Sequence, residues 1–136
     1  MCIRDSCYTD EALAKITKAM ERIVKGQCLA AGVDYKFKIA TSFASTVNTV
    51  PETAKSIAAA TKVVGADKVN GNCVPITFSE DFAFMLEKVN GAYILIGNGF
   101  GANCGQPLHN AYYDFNDEIL LTGVRYWMAL VEGELE

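Results

Sequence analysis

The one histidine of this chain sits in Pro107-Leu108-His109-Asn110-Ala111. A glycine-rich stretch, Gly97-Asn98-Gly99-Phe100-Gly101, precedes it, and an acidic turn, Asn116-Asp117-Glu118, follows. A neutral imidazole can ligate a metal or move a proton, so this loop is the first place to look for chemistry. The competing reading is a surface or hydrogen-bonded structural histidine. Ser79-Glu80-Asp81-Phe82 sets two carboxylates side by side. Such a pair suits acid/base or metal chemistry, but on a helix the two point about 100° apart and do not form one pincer. Ser79 as an N-cap, with Glu80 and Asp81 in the first turn, explains the same residues structurally. Cys104 lies five residues before His109, the spacing of half a zinc site, with no second pair to complete it.

The elements that position these residues follow from periodicity. Thr9 or Asp10 caps a first helix whose apolar face is Leu13, Ile16, Met20, Ile23, Val24 and Cys28, with Gly32 as its stop. Strict alternation over residues 33–39 predicts a strand with one buried face. Pro51 opens a second, alanine-rich helix with Ala54, Ile57, Ala58, Thr61 and Val64 on one side, and Gly65 ends it. A short strand is expected within 67–74. A third helix runs from Ser79 through Lys88. Ala92-Tyr93-Ile94-Leu95-Ile96 has the continuous apolar pattern of a strand buried on both faces. The glycine loop at its end allows close backbone approach to a ligand. It carries neither the dinucleotide nor the phosphate-loop spacing. In open α/β sheets, sites lie beyond strand C-terminal ends, the edge from which His109 is reached. The last helix starts at Asn116-Asp117-Glu118, with Ile119, Leu120, Val124, Trp127, Met128 and Val131 inward and a solvated acidic tail. The expected fold class is therefore α/β with an α+β part, and a domain boundary falls near residue 50.

Composition narrows the function classes. The chain has 136 residues, 12 Lys and Arg, 16 Asp and Glu, and a net charge of −4, with no basic face, so no nucleic-acid partner is expected. No apolar run is long enough to span a membrane, and no signal-peptide pattern opens the chain. The five cysteines are odd in number and contain no Cys-x-x-Cys pair, which points to reduced, cytoplasmic usage. Residues 1–6 have no clear period. They read either as a strand stub or as a junction foreign to the natural protein.

Taken together, four motifs resemble the C-terminal third of the M20 family of metallopeptidases. They are Phe78-Ser79-Glu80-Asp81-Phe82-Ala83-Phe84-Met85-Leu86, then Gly91-Ala92-Tyr93 to Gly97-Asn98-Gly99, then Leu108-His109-Asn110, then Tyr113-Asp114-Phe115-Asn116-Asp117-Glu118. The nearest branch is that of amidohydrolases acting on N-acyl amino acids, of the hippurate hydrolase and aminoacylase type. The resemblance implies a catalytic α/β domain with two metal ions (Zn, Mn or Co) and an inserted ferredoxin-like lid that makes a homodimer. Residues 1–49 would be the second half of the lid, and residues 50–136 the return into the catalytic domain. It implies His109 as a metal ligand. Asn48 and the turn Gly97 to Gly99 would bind substrate. Glu80 and Asp81 would be supporting or structural. The substrate would be an N-acyl amino acid or small peptide, cleaved by a metal-activated water with a glutamate as proton carrier.

The departures are specific. The family's other metal ligands and its catalytic glutamate pair match nothing here, and Ile3-Arg4-Asp5-Ser6 stands where a Gly-Thr-Val-Arg strand belongs. Phe43-Ala44 replaces a Tyr-Pro, and Ala111 a proline. The expectation is a fragment of an enzyme, inactive alone. The alternative is a non-catalytic dimerisation or binding module of the same fold, pairing through an unpaired strand edge and an apolar helix face.

Overall fold

The computed structural model describes residues 7–40, 44–78, 80–101 and 104–135. Residues 1–6 and the Ser79 cap lie outside them. The chain divides into two units, Met1–Val47 with Val74–Val89, and Asn48–Cys73 with Asn90–Glu136.

The first unit is built on α1 (Asp10–Ala31). Thr9 caps it by accepting from the Ala12 N–H, and Asp10 and Glu11 fall in the first turn, where the helix dipole favours negative charge. At the other end Gly32 takes φ +67 and donates back into the last turn, while Val33 N–H reaches Cys28 O at 3.0 Å. This pair of bonds needs a left-handed residue, which is why glycine stands there. No residue of α1 is buried. Its expected apolar face is half-covered at Leu13, Val24 and Cys28 and open at Ile16, Met20 and Ile23. The same unit holds α3 (Phe82–Leu86), shorter than its sequence suggested, with Ala83 as its buried residue.

The second unit pairs α2 (Val50–Val64) with α4 (Leu120–Leu135). Pro51 sits in the first turn of α2, where a missing N–H costs nothing. The core is small: Ala59, Tyr126 and Ala129 are buried, with Ala60, Val63, Ile94 and Leu130 packed around them. Ser56 is buried on the same face of α2. Alanine and serine at the contact let the two helices approach, and Tyr126 fills the space they leave. Lys55–Glu134 at 2.8 Å and Lys62–Glu132 at 3.2 Å join the helices at the exposed flanks. Such exposed pairs add little to stability.

The expected α/β class, with its ferredoxin-like half-lid, is not what the structure shows. Among the described residues there is no strand, at 33–39, within 67–74 or at 92–96. Period-2 patterning does survive in the first of these, where Phe37 and Ile39 are half-buried between exposed neighbours. A strand, however, exists only through a ladder of hydrogen bonds to a neighbour. No backbone hydrogen bond ties residues 34–40 to another described segment. The apolar run 92–96 is anchored by side chains instead. Asn48 Nδ2 donates to Tyr93 O and its Oδ1 accepts from Tyr93 N–H, both at 2.8 Å. Thr49 N–H donates to Gly91 O, and Gly91 N–H donates to the Thr49 hydroxyl, both at 3.0 Å. An asparagine and a threonine thus occupy the places a ladder would use, and Leu95 and Ile96 stay exposed.

The two helix faces are also displaced from expectation. On α2 the packed residues are Ser56, Ala59, Ala60 and Val63 rather than the Ala54–Ala58 side. On α4 Tyr126, Ala129 and Leu130 face α2, while Leu120, Val124, Trp127, Met128 and Val131 are each more than half exposed.

Candidate functional site

Four of the six expected site residues, Asn48, Gly97, Gly99 and His109, lie in the second unit. Glu80 and Asp81 belong to the first. Glu80 is half-buried, its Oε1 accepting from Asp81 N–H at 3.1 Å, and the carbonyls of both residues accept from Ala83 and Phe84 at the entry to α3. These bonds shape the first turn of that helix.

In the second unit, one residue not singled out from the sequence organises the loops. Asn98 stands between Gly97 and Gly99. Its Nδ2 donates to Cys104 O at 3.1 Å and to Asp114 O at 2.7 Å, and its Oδ1 accepts from Asn116 N–H at 2.9 Å. Cys104 and Asp114 are the two ends of the loop that carries His109. Asn98 therefore closes that loop and ties it to the glycine turn. All three of its bonds go to main chain, so they fix the loop's ends whatever side chains it carries. Its partners are main-chain atoms, so residue types in the sequence carry no signal of them. Gly99 takes φ +99, and a Cβ there would lie 3.2 Å from Asn116 Nδ2. Gly97 has no such neighbour.

His109 is displayed by two successive turns. Asn110 N–H reaches Pro107 O at 3.1 Å, and Tyr113 N–H reaches Asn110 O at 3.0 Å. Asn110 Oδ1 also accepts from Tyr112 N–H at 2.8 Å, the local bond that makes asparagine a turn residue. Tyr113 and Phe115 meet edge-on at 5.2 Å beyond it. His109 occupies the third position of the first turn, where the chain requires φ > 0. It takes φ +69, and among the described residues it is the one non-glycine to do so. A β-carbon in that conformation costs about 1–2 kcal/mol. The imidazole is exposed and makes no hydrogen bond to a described residue.

Asn48 is half-buried, and its amide uses the oxygen and one Nδ2 hydrogen on Tyr93. A primary amide has two such hydrogens, so among the described residues one is left for another acceptor. A groove between α2 and α4, lined by Lys62, Val63, Arg125, Met128, Ala129 and Glu132, contains none of the expected site residues.

Among the described residues no three His, Cys, Asp or Glu side chains gather where a metal ion could be held. A catalytic zinc takes three protein ligands, and here one imidazole is on offer. The described residues do not by themselves make a metal centre. No helix of the described residues is long and apolar enough to cross a membrane.

Comparison with known proteins agrees with the motifs. A Bacillus subtilis (strain 168) protein named "Putative amidohydrolase YhaA" is 28% identical over 116 residues, which cover 81% of this chain and 28% of that protein. The chain thus spans just over a quarter of the length of that relative. No solved structure matches it significantly. The model of the family described as Peptidase family M20/M25/M40 matches residues 4–133. With the glycine turn, the Asn98 clamp and the His109 loop falling inside a match that runs nearly end to end, the chain belongs to peptidase family M20/M25/M40.

Proposed function

We propose that this chain is a C-terminal part of a metal-dependent amidohydrolase that cleaves the amide bond of N-acyl amino acids or small peptides. Family membership and the relative named as a putative amidohydrolase support the hydrolase class, and the linear amide is this proposal's own choice of bond. The observation that carries the reading to a residue is His109. Its imidazole makes no hydrogen bond to a described residue, yet its backbone is held at φ +69 on an exposed turn clamped at both ends. Strain of this kind concentrates at ligand sites, and that is the ground for assigning His109 to one.

In this reading His109 is the one donor that the chain brings to a divalent-metal site completed by residues outside it. Asn98 sets the loop that presents it. Gly97, with open space where a Cβ would stand, leaves room for substrate, and Gly99 lets the same turn close against Asn116. The remaining Nδ2 hydrogen of Asn48 is a donor for a substrate carbonyl or carboxylate. Glu80 and Asp81 serve helix entry and have at most a supporting place around the site.

The test is a chimera: the Bacillus subtilis relative with its matched stretch replaced by this chain. Release of free amine from N-acetyl and N-benzoyl amino acids is followed with Zn²⁺, Mn²⁺ or Co²⁺. Turnover is expected, and His109→Ala lowers it by more than about a hundredfold, beyond what loss of an outer partner of a ligand costs. A His109→Ala chimera as active as its parent removes His109 from the site. A folded chimera that releases no amine with any of the three metals overturns the amidohydrolase reading.

A further inference from the structure

The tripeptide Val-Asn-Gly occurs twice, as Val69-Asn70-Gly71 and as Val89-Asn90-Gly91, and a third Asn-Gly pair stands at Asn98-Gly99. An asparagine followed by glycine can react with its own main chain. The glycine nitrogen, after losing its proton, bonds to the side-chain carbonyl carbon. The Cγ–Nδ2 bond breaks, and ammonia leaves with a proton from water. Water then opens the five-membered imide at either carbonyl, which gives aspartate or isoaspartate, and nothing is oxidised or reduced. Glycine permits the attack because it has no Cβ to crowd its nitrogen. The structure must supply a glycine N–H that is not already bonded, a side chain free to bring Cγ onto that nitrogen, and water. The two Val-Asn-Gly copies share their immediate chemistry, so a difference between positions 70 and 90 belongs to the fold.

The fold treats the three asparagines differently. Gly91 N–H donates to the Thr49 hydroxyl at 3.0 Å, and Gly91 O accepts from Thr49 N–H at 3.0 Å, so the nucleophile beside Asn90 is engaged. At Asn98 the side chain itself is held. Its bonds to Cys104 O, Asp114 O and Asn116 N–H must break before Cγ can turn toward the Gly99 nitrogen. Neither restraint is present at Asn70 among the described residues. Asn70 and Gly71 are both exposed, and Gly71 N–H donates to no described residue. The Asn70 side chain makes one bond, in which Oδ1 accepts from Asn72 N–H at 3.0 Å. The ring this bond closes contains the Gly71 nitrogen, so the side-chain carbonyl is folded back along the peptide that attacks it. A donor on that oxygen also draws electrons from Cγ, which favours attack there.

We infer that Asn70 is a spontaneous modification site of this chain, converting to isoaspartate and aspartate while Asn90 and Asn98 are protected by their hydrogen bonds. The product has somewhere to act. Gly71 lies against α2, where a Cβ on it would stand 2.5 Å from Ile57 Cδ1. Isoaspartate carries the main chain through Cγ and lengthens it by one carbon immediately before Gly71, where that contact leaves little slack. Either product also adds a negative charge to a chain of net charge −4. None of this depends on which bond the family reaction cleaves.

The test incubates the purified full chain in mildly alkaline buffer at physiological temperature, folded and in urea, and follows the exchange of amide for acid by peptide mass. Endoproteinase Lys-C cuts after Lys68 and Lys88, which puts Asn70 in 69–88 and Asn90 with Asn98 in 89–136, where fragmentation separates the two. Isoaspartate is counted with an isoaspartyl methyltransferase and a labelled methyl donor. In the folded chain Asn70 should convert at least about tenfold faster than Asn90 or Asn98, the factor that one good hydrogen bond supplies. In urea the two Val-Asn-Gly sites should agree within about twofold, since little structure is left to tell them apart. Asn70→Gln should remove the methyl label from 69–88. Thr49→Val removes the hydroxyl that holds Gly91 N–H and should speed Asn90 toward the Asn70 rate. The urea comparison needs no variant and stands even where Thr49→Val does not fold. The site is overturned if Asn70 stays intact, or if positions 70 and 90 convert equally fast in the folded chain. It is also overturned if their difference persists in urea, which would assign it to the flanking sequence. An Asn90 that stays slow in folded Thr49→Val overturns the protection by Thr49.

Discussion

The most informative single position is Asn98, because one side chain holds three main-chain groups of two loops. Asn98→Ala removes the bonds to Cys104 O, Asp114 O and Asn116 N–H together. Each is worth about 1 kcal/mol net, so about 3 kcal/mol is the ceiling. The site is half-buried and water can replace part of the loss, which brings the expected destabilisation to about 2 kcal/mol. Urea unfolding followed by far-UV circular dichroism measures it. The same free energy predicts about thirtyfold faster hydrogen exchange at the Asn116 amide if that amide opens through the clamp. Asn98→Asp separates a clamp from a mere packing residue. Its first oxygen still accepts from Asn116 N–H, but its second faces two carbonyl oxygens where an N–H₂ stood. The introduced carboxylate is disfavoured there and its pKa in the folded state rises above the unfolded value near 3.9. A raised folded-state pKa gives stability that is present in acid and lost as pH rises through that pKa. Asn98→Asp should therefore be at least as unstable as Asn98→Ala at pH 7 and recover relative to it near pH 4. If Asn98→Asp matches the parent at pH 7, or Asn98→Ala costs less than about 0.5 kcal/mol, the clamp is not what holds the His109 loop.

The remaining expectations concern the elements around it. Tyr126→Ala should cost about 3–5 kcal/mol, because the ring is the one large side chain of a three-residue core, and a thermal melt of the second unit reads it directly. Asn48→Ala should cost about 2 kcal/mol through its paired bonds to Tyr93, and a change under about 0.5 kcal/mol in urea unfolding would show that the pair does not anchor the run 92–96. His109→Gly should be neutral or stabilising by up to about 1 kcal/mol, since glycine accepts φ +69 freely, while abolishing activity in the chimera. Glu52 accepts from the Thr49 hydroxyl, which holds its pKa below the ordinary 4.5. A lowered folded-state pKa gives stability that is present above 4.5 and lost as pH falls through the folded value. The melting-temperature difference between parent and Glu52→Gln should therefore be seen at pH 7 and disappear in acid.

The legible parts of this chain were those fixed by local chemistry. Thr9 with Asp10 and Glu11, and Gly32 after a helical run, set both ends of α1 because capping needs only neighbours in sequence. Pro51 and Gly65 bracketed α2 for the same reason. The loop around His109 was legible as a loop, because proline, asparagine and glycine make turns from their own local chemistry. Strands were not legible in this sense. Period-2 alternation at 33–39 and the apolar run at 92–96 state which residues avoid water, not which segment supplies the ladder. Asn98 escaped notice because its three partners are main-chain atoms, which leave no trace in residue type.

The misread helix faces carry the sharper lesson. On α4 the positions Leu120, Val124, Trp127, Met128 and Val131 fit helical spacing as well as any inward stripe does, and they are the larger side chains. The structure nevertheless turns them outward and packs Tyr126 and Ala129 on α2. The choice follows from the partner: α2 presents Ser56, Ala59 and Ala60, a flat surface of small side chains that one ring and an alanine can fill and that a row of leucines would hold at a distance. An amphipathic helix has its outward face marked by charge, so its inward face can be read by subtraction. On α4 the charges are confined to Arg125, Glu132 and Glu134 at the edges, and subtraction leaves two apolar faces. Spacing alone cannot rank them. The smaller face is packed on α2, and the larger is exposed.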